Sequence, residues 1–316
     1  MGKPIFYFIL LISLNCFINN AQANTGKMSQ NQEIITFFDD YMQHYNDYIK
    51  DADNTNALKQ MATTYHKSAF QVISGVPISP LDNLNELAKG SGRFLDSLVA
   101  QGVAYIKWQK INIELLTDVT AYASNVGVRY KKDGTVFNRA AADYLLIKTQ
   151  AGWKIVTLVL RSSQERNNSK LIPEVNAFLT AYLKHHNDAL EDEGDDSTQM
   201  MPALMAVSED LNLPAINVTQ DGNFVLFTSK QQIAKDTQSF IFDLKKQGVT
   251  HINYDKTQIK MLTNETALAS NIASINKADN SALFKFGMTY LIRKGDKGWK
   301  IITRTTHPLN NILRIN

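Results

Sequence analysis

The decapeptide LTDVTAYASN at residues 116–125 returns as a close copy, LTNETALASN, at residues 262–271. The same spacing of 146 residues links Gly102-Val103 to Gly248-Val249, and Gly152-Trp153-Lys154-Ile155 to Gly298-Trp299-Lys300-Ile301. A spacing that stays constant over such a length, without a gap, indicates two copies of one structural unit. The chain is therefore predicted to be a tandem repeat.

The chain has 316 residues, which is enough for two domains that each bury a core. With 44% hydrophobic and 20% charged residues, the composition is that of ordinary globular domains. The net charge of +3 and the lack of a Lys/Arg cluster argue against nucleic-acid binding. Beyond residues 1–23, we divide the chain into a disordered N-terminus (24–33), a first domain (34–161), a polar linker (162–174), a second domain (175–308) and a C-terminal tail (309–316).

The N-terminus has the pattern of a secretory signal peptide over residues 1–23. Lys3 precedes an apolar run from Ile5 to Ile18, and Ala21-Gln22-Ala23 offers a cleavage site. The run is about 14 residues long, whereas a helix that spans a bilayer needs roughly 20. The mature protein is therefore predicted to begin at Asn24, to be periplasmic or secreted, and to have no stable insertion in a membrane.

Cys16 is the only cysteine, and it lies within the predicted signal peptide. The mature chain would then have no disulfide, no thiolate nucleophile and no metal bound by cysteine.

Helical signals come first in each copy and strand signals follow. Apolar residues from Ile34 to Tyr48 recur at three- and four-residue spacing, and Asn54 or Thr55 is placed to cap a second helix. After Gly102 the chain is rich in β-branched and aromatic residues, and Asp133-Gly134 is a hairpin signal. Helices followed by an antiparallel sheet, twice over, predict an α+β fold.

Three features of each copy suggest a family. They are the helix that carries Tyr41, the strand after His66, and the ending Tyr144-x-Leu146 with Gly152-Trp153-Lys154-Ile155, which Tyr290 and Gly298-Trp299-Lys300-Ile301 match. Together they resemble the nuclear-transport-factor-2-like superfamily, whose members include ketosteroid isomerases, polyketide cyclases, dehydratases and many non-catalytic domains. The resemblance implies two tandem cone-shaped domains, each a curved antiparallel sheet wrapped around N-terminal helices and an apolar pocket. Such domains often pair through their sheets, so it also implies an intrachain pseudo-dimer.

Ketosteroid isomerase chemistry requires a carboxylate base and acidic donors in an apolar pocket. By the resemblance, Tyr41 and Tyr182 stand where a helix tyrosine donates to an oxyanion. The base would lie in the next strand, where Gln71-Val72-Ile73-Ser74 offers no carboxylate. The isomerase interpretation therefore lacks its essential group.

A lyase or cyclase would instead need a histidine with a nearby acid. His66 at the rim of the expected cone and Asp143 on a later strand are the candidates, with Tyr41 as the third catalytic residue. Their counterparts in the second copy are Asn212 and Thr289, so only the first domain would be active. The alternative is that His66 ends a helix and that Asp143 is an exposed strand residue.

Several aromatic residues would line a ligand pocket if the cones are open. The candidates are Tyr45, Tyr65, Tyr105, Trp108 and Tyr182, and the alternative is that they fill the core. His185 and His186 point about 100° apart on a helix, and the acidic stretch at 191–196 lacks the spacing of a calcium loop. Neither a metal nor a cofactor is therefore predicted.

The favoured function is non-catalytic binding of a small apolar or aromatic molecule, or of a protein partner, because neither copy contains a complete catalytic set. The competing hypothesis is a cofactor-independent lyase, isomerase or cyclase in the first domain. A third is that one copy only scaffolds the other.

Overall fold

The computed structural model describes residues 28–81, 83–162, 168–191 and 197–313. The first half contains α1 (Gln30–Lys50), α2 (Thr55–Thr63), β1 (Tyr65–Val72), α3 (Leu84–Ala100), β2 (Val103–Thr117), β3 (Thr120–Lys131), β4 (Val136–Thr149) and β5 (Gly152–Ser162). The second half contains α4 (Ile172–Glu191), α5 (Ser197–Glu209), β6 (Leu211–Val218), β7 (Phe224–Phe227), α6 (Lys230–Lys246), β8 (Val249–Met261), β9 (Thr266–Lys277), β10 (Ala282–Gly295) and β11 (Gly298–His307). The predicted α+β fold with two tandem domains is confirmed.

In the described ranges each domain has one sheet, with strand order β1-β5-β4-β3-β2 in the first and β7-β6-β11-β10-β9-β8 in the second. The sheets are mixed and not purely antiparallel as predicted. β1 runs parallel to β5, and β6 runs parallel to β11. The remaining neighbours are antiparallel, and Asp133-Gly134 predicted the hairpin that joins β3 to β4. The parallel pair arises because the early strand of each copy adds to the sheet beside the last strand.

The domain limits differ slightly from those predicted. α1 begins at Gln30, inside the segment predicted to be disordered, because the Ser29 side chain accepts a hydrogen bond from the Gln32 amide. α4 begins at Ile172, inside the predicted linker. The predicted signal peptide and residues 24–27, 163–167, 192–196 and 314–316 lie outside the described residues.

The helices of each domain cover one face of its sheet, and the core fills the space between them. In the first domain Phe38, Leu95 and Leu146 are fully buried there. Val175, Leu179 and Ile292 occupy the corresponding core of the second domain. We call the space between helices and sheet the cone of each domain.

The opposite faces of the two sheets pack against each other. Apolar residues from both domains form one cluster there: Phe70, Val72, Leu116, Leu145, Ile147, Val156, Val159, Ile216, Val218, Leu262, Leu268, Leu291, Ile302 and Leu313. The hydroxyls of Thr157 and Thr303, which are equivalent residues of the two copies, lie 3.3 Å apart in this interface. Contact between equivalent residues is the signature of an approximate two-fold axis.

Polar contacts surround this interface. The Glu265 carboxylate accepts hydrogen bonds from the Ser74 hydroxyl at 3.0 Å and the Gly75 amide at 3.2 Å. The side-chain amide of Asn311 donates to the Leu116 carbonyl, and Leu313 is buried in the apolar cluster. The described part of the segment predicted as a tail, residues 309–313, therefore packs between the domains. Among the described residues, no helix is both long and apolar enough to cross a membrane.

Candidate functional site

A cluster of tyrosines fills the cone of the first domain. The Tyr41 hydroxyl on α1 lies 2.9 Å from that of Tyr45 and 2.8 Å from that of Tyr65 on β1. Phe38 packs edge-on against Tyr144, with ring centroids 4.9 Å apart. Burial raises the pKa of Tyr41, Tyr45 and Tyr65 above the usual value, so the phenols are neutral and act as hydrogen-bonding groups.

Trp108 packs over the same cone from β2. Its indole N–H donates to the Phe38 carbonyl at 2.9 Å, and its ring meets Phe38 edge-on. Three predicted ligand-binding residues, Tyr45, Tyr65 and Trp108, thus belong to or pack against the core of this domain.

The fourth predicted ligand-binding residue of this domain, Tyr105, lies elsewhere. It stacks on Tyr130 with ring centroids 4.9 Å apart, and Lys107 lies over its ring. It is flanked along β2 by Ile106, whose side chain faces the core. Because neighbouring side chains alternate along a strand, Tyr105 points away from the cone.

The three predicted catalytic residues are not brought together. Tyr41 lies inside the first cone, whereas the His66 ring packs against Phe224 of the second domain with centroids 4.4 Å apart. The His66 Nδ1 accepts a hydrogen bond from the Ser68 amide, and burial lowers the pKa of the imidazole. His66 therefore meets the neighbouring domain.

Asp143 is also on the interdomain side of the sheet. Asp143 precedes Tyr144 on β4, and the Tyr144 side chain faces the cone. Because successive side chains of a strand point to opposite faces, the Asp143 side chain points away from the cone. Its carboxylate accepts hydrogen bonds from the Tyr122 hydroxyl and from Arg161 Nε, each at 2.5 Å. Across the sheet Asp143 is paired with Val159 of β5, and Val159 is paired with Val72 of β1. Val72 and His66 lie at opposite ends of β1, so Asp143 is not level with His66. Asp143 borders an interface cavity of about 20 Å³, which is the space of roughly one water molecule.

The cone of the second domain contains an ion pair with a buried arginine and a partly exposed aspartate. Arg304 on β11 donates to Asp236 on α6 at 2.6 Å and to the Asn217 side chain on β6 at 3.1 Å. Its third partner is the hydroxyl of Tyr182, the remaining predicted ligand-binding residue, at 3.5 Å. The first domain has Leu158 at the position of Arg304. Comparison of the two copies in the sequence is the signal that predicts this exchange.

Two more tyrosines and a histidine complete the second cone. The hydroxyls of Tyr254 and Tyr290 lie 2.8 Å apart, and Tyr182 meets Tyr290 edge-on. The His186 Nδ1 lies 3.0 Å from the Tyr182 carbonyl, and burial lowers the pKa of His186 to about 4. The imidazole is therefore neutral at physiological pH.

A groove with a volume of about 470 Å³ lies beside this cone, between α4 and β8. Its lining combines apolar and polar side chains: Asn176, Leu179, Thr180, Leu183, Asn253, Tyr254, Asp255 and Thr257. Asp255 is ionised, because hydrogen bonds from Lys285 at 2.6 Å and from Ser274 at 2.8 Å lower its pKa. We call this space the α4–β8 groove.

The first domain has bulkier or less polar residues at two key positions of this groove. Trp108 replaces Tyr254, and Ile111 replaces Thr257. The sequence analysis did not predict the α4–β8 groove, because a groove depends on how the side chains of neighbouring elements fill space. The exchange of Trp108 for Tyr254 between the copies was a visible signal.

One histidine–carboxylate pair was also missed. His185 Nδ1 on α4 lies 2.7 Å from Oδ2 of Asp210, which stands between α5 and β6. Burial raises the pKa of Asp210, although His185 acts in the opposite direction. The described residues contain no group of three or more His, Cys, Asp or Glu side chains that could hold a metal ion.

A family model matches most of the chain. Residues 32–163 and 173–309 each match the model of a family described as "NTF2-like protein (DUF6841)", where NTF2 stands for nuclear transport factor 2. The chain belongs to this family, and the predicted superfamily is confirmed. No curated protein matches the chain in sequence.

Solved structures similar to the chain include an NTF2-like protein from Novosphingobium aromaticivorans with a cystatin-like fold (15% identity, TM-score 0.35, 43% of this chain and 83% of that one). An NTF-2-like protein of unknown function from Shewanella oneidensis has 14% identity and a TM-score of 0.32, over 43% of this chain and 97% of that one. Aln2 from a Streptomyces species has 13% identity and a TM-score of 0.34, over 47% of this chain and 98% of that one. The fold is a scaffold for ligand binding or catalysis.

Proposed function

We propose that the chain is a non-catalytic binding protein for a small molecule with an apolar or aromatic body and a polar end. The ligand occupies the α4–β8 groove of the second domain. The groove is the main support for this proposal, because its volume of about 470 Å³ falls within the range of small-molecule sites. Leu183 and Tyr254 offer the apolar contacts, and Thr180 and Asn253 offer polar ones.

The charges around the groove favour binding over catalysis. Arg304 is paired with Asp236, and Asp255 is paired with Lys285. A general acid or base needs a proton that it can exchange with the substrate near neutral pH. Burial lowers the pKa of His186 to about 4, far from neutral pH, and its Nδ1 is directed at a backbone carbonyl, so it does not meet this requirement.

The first domain acts as the scaffold in this proposal. Its tyrosine hydroxyls bond to one another, and Trp108 packs over its cone. The two sheets pack face to face, so the first domain supports the sheet of the second as the partner would in a dimer. We also propose export, with a mature chain that starts at Asn24, which N-terminal sequencing of the protein from its host tests.

The first test is native mass spectrometry of the mature protein purified from its own host. One bound small molecule per chain is the expected result. The variant Tyr254→Trp/Thr257→Ile gives the groove two residues of the first domain, and it should lose the ligand while it keeps its fold by circular dichroism.

The mirror variant Trp108→Tyr/Ile111→Thr changes the first domain and serves as the control, with ligand retained. A wild-type chain that carries no small molecule, or a groove variant that still binds it, would refute the proposal. A co-purified protein in place of a small molecule would favour the protein-partner hypothesis.

A further inference from the structure

Two equivalent asparagines are buried without hydrogen-bond partners. Asn125 on β3 and Asn271 on β9 end the repeated decapeptide, and both are fully buried. In each, neither the side-chain nitrogen nor the side-chain oxygen has a hydrogen-bond partner among the described residues. Buried amides are nearly always paired, since an unpaired one costs folding free energy. Each of the two amides therefore has a donor and an acceptor that its own surroundings leave unused.

Asn271 lies next to the α4–β8 groove. It is paired across the sheet with Thr257 on one side and with Met288 on the other. Residues directly opposite each other on neighbouring strands project from the same face of a sheet. Thr257 lines the groove, so the unpaired amide lies one side chain away from it, on the face that the groove occupies.

Asn125 has a different setting. Its cross-strand neighbours are Ile111 and Ala142, which are apolar, and Trp108 packs over the cone nearby. The second domain is therefore the copy in which a groove gives a ligand a route to the amide.

We propose that Asn271 determines ligand specificity by pairing with a carboxamide at the polar end of the ligand. The Asn271 Nδ2 donates to the ligand carbonyl, and the ligand N–H donates to the Asn271 Oδ1, so both unpaired atoms are satisfied at once. Because Asn271 is fully covered in the free protein, Thr257 shifts to admit the ligand. This inference rests on the proposed binding function of the groove.

The test compares three probes of similar size by calorimetric titration of the mature chain. Benzamide offers a donor and an acceptor side by side, benzoate offers acceptors alone, and toluene offers neither. We expect wild-type protein to bind benzamide at least about tenfold more tightly than toluene or benzoate, since a site built for hydrogen bonds rejects a molecule that leaves them unmade.

The variant Asn271→Leu should lose this preference and bind benzamide and toluene about equally. In the free protein it should raise Tm by roughly 2–4 °C, because it removes an unpaired polar group at similar volume. Asn125→Leu is the matched control, and it should leave the affinity for benzamide unchanged.

The outcomes separate the two proposals. If wild-type protein binds none of the probes, the groove function is wrong and this inference falls with it. If all three bind equally well, or Asn271→Leu keeps the benzamide preference, the groove function stands and the role of Asn271 is refuted. A lower Tm for Asn271→Leu would show that the amide already has an internal partner, which also refutes it. Should that variant fail to fold, the preference of the wild-type protein decides alone.

Discussion

The two cones have the same framework but different polar interiors. In the first, Tyr41 meets the hydroxyls of Tyr45 and Tyr65. In the second, the equivalent Tyr182 meets Arg304, which is paired with Asp236. A buried tyrosine hydroxyl needs a partner in either case, and the two copies satisfy it with different chemistry.

The comparison shows that the two copies share residues that pack the core more strictly than residues that supply charge or hydrogen bonds. Tyr144 and Tyr290 are equivalent and buried in both cores, as are Trp153 and Trp299. The residues that change are those that give the second cone its charge and its groove. One domain can thus keep the fold while the other carries the site.

The largest expected effect comes from giving the first cone the charge of the second. Leu158→Arg puts a guanidinium where Leu158 is 4% exposed and where Gly90 offers no carboxylate in place of Asp236. We expect a loss of about 3–5 kcal/mol in the free energy of unfolding, as for other unpaired buried charges. Urea denaturation measures it, with Leu158→Met as the control. Wild-type stability in the arginine variant would mean that the first cone is as polar as the second.

The next effect depends on pH and on His186, which replaces Tyr45 of the first domain. Its folded pKa of about 4 lies below the unfolded value of 6.5, so the unfolded chain binds the proton more readily. Stability is therefore complete above pH 6.5 and is lost as pH falls towards 4, by up to about 3 kcal/mol. His186→Tyr should remove this part of the pH dependence in denaturation curves between pH 7 and 4.5. The idea fails if both proteins lose stability equally, and Tyr45→His should introduce a similar dependence in the first domain.

A smaller effect is expected from Trp108→Tyr, which gives the first domain the residue of the second. The variant loses the indole hydrogen bond to the Phe38 carbonyl and part of a ring packed on the core. We expect a loss of about 1–2 kcal/mol in the free energy of unfolding. Urea denaturation checks it, and an unchanged midpoint would show that the first cone does not depend on this contact.

The smallest effect concerns the contacts between the domains. Glu265→Ala removes the acceptor for the Ser74 hydroxyl and the Gly75 amide. We expect up to about 1 kcal/mol, since the hydrogen bonds are exposed and water can replace the carboxylate. Calorimetry should still show a single transition. Two separate transitions in this variant would mean that the polar rim, and not the apolar cluster, couples the domains.

Much of the fold could be predicted because local signals and the repeat agree. Asn54 caps α2, with its side chain accepting from the Ala57 amide, and Asp133-Gly134 forms the predicted hairpin turn. Such signals act over a few residues, so they survive without knowledge of the tertiary structure. The parallel pairing of β1 with β5 joins residues that are far apart in sequence, and no local pattern encodes it.

The candidate site was harder to predict, since it depends on which face of a strand each residue occupies. Asp143 and Tyr144 are neighbours on β4, so their side chains point to opposite faces of the sheet and only that of Tyr144 enters the cone. For His66, β1 has an irregular register between Tyr65 and Phe70, which obscures the alternation. The unpaired state of Asn271 is a property of its surroundings and cannot be read from the residue alone.

The contact between Thr157 and Thr303 also bears on how such a molecule can change over generations. In a symmetric assembly of two identical chains, any substitution appears on both sides of the axis. Here one gene encodes both sides, so a codon change at position 304 leaves position 158 untouched. Fusion of the copies therefore lets selection act on one half at a time, while the shared interface holds both halves together.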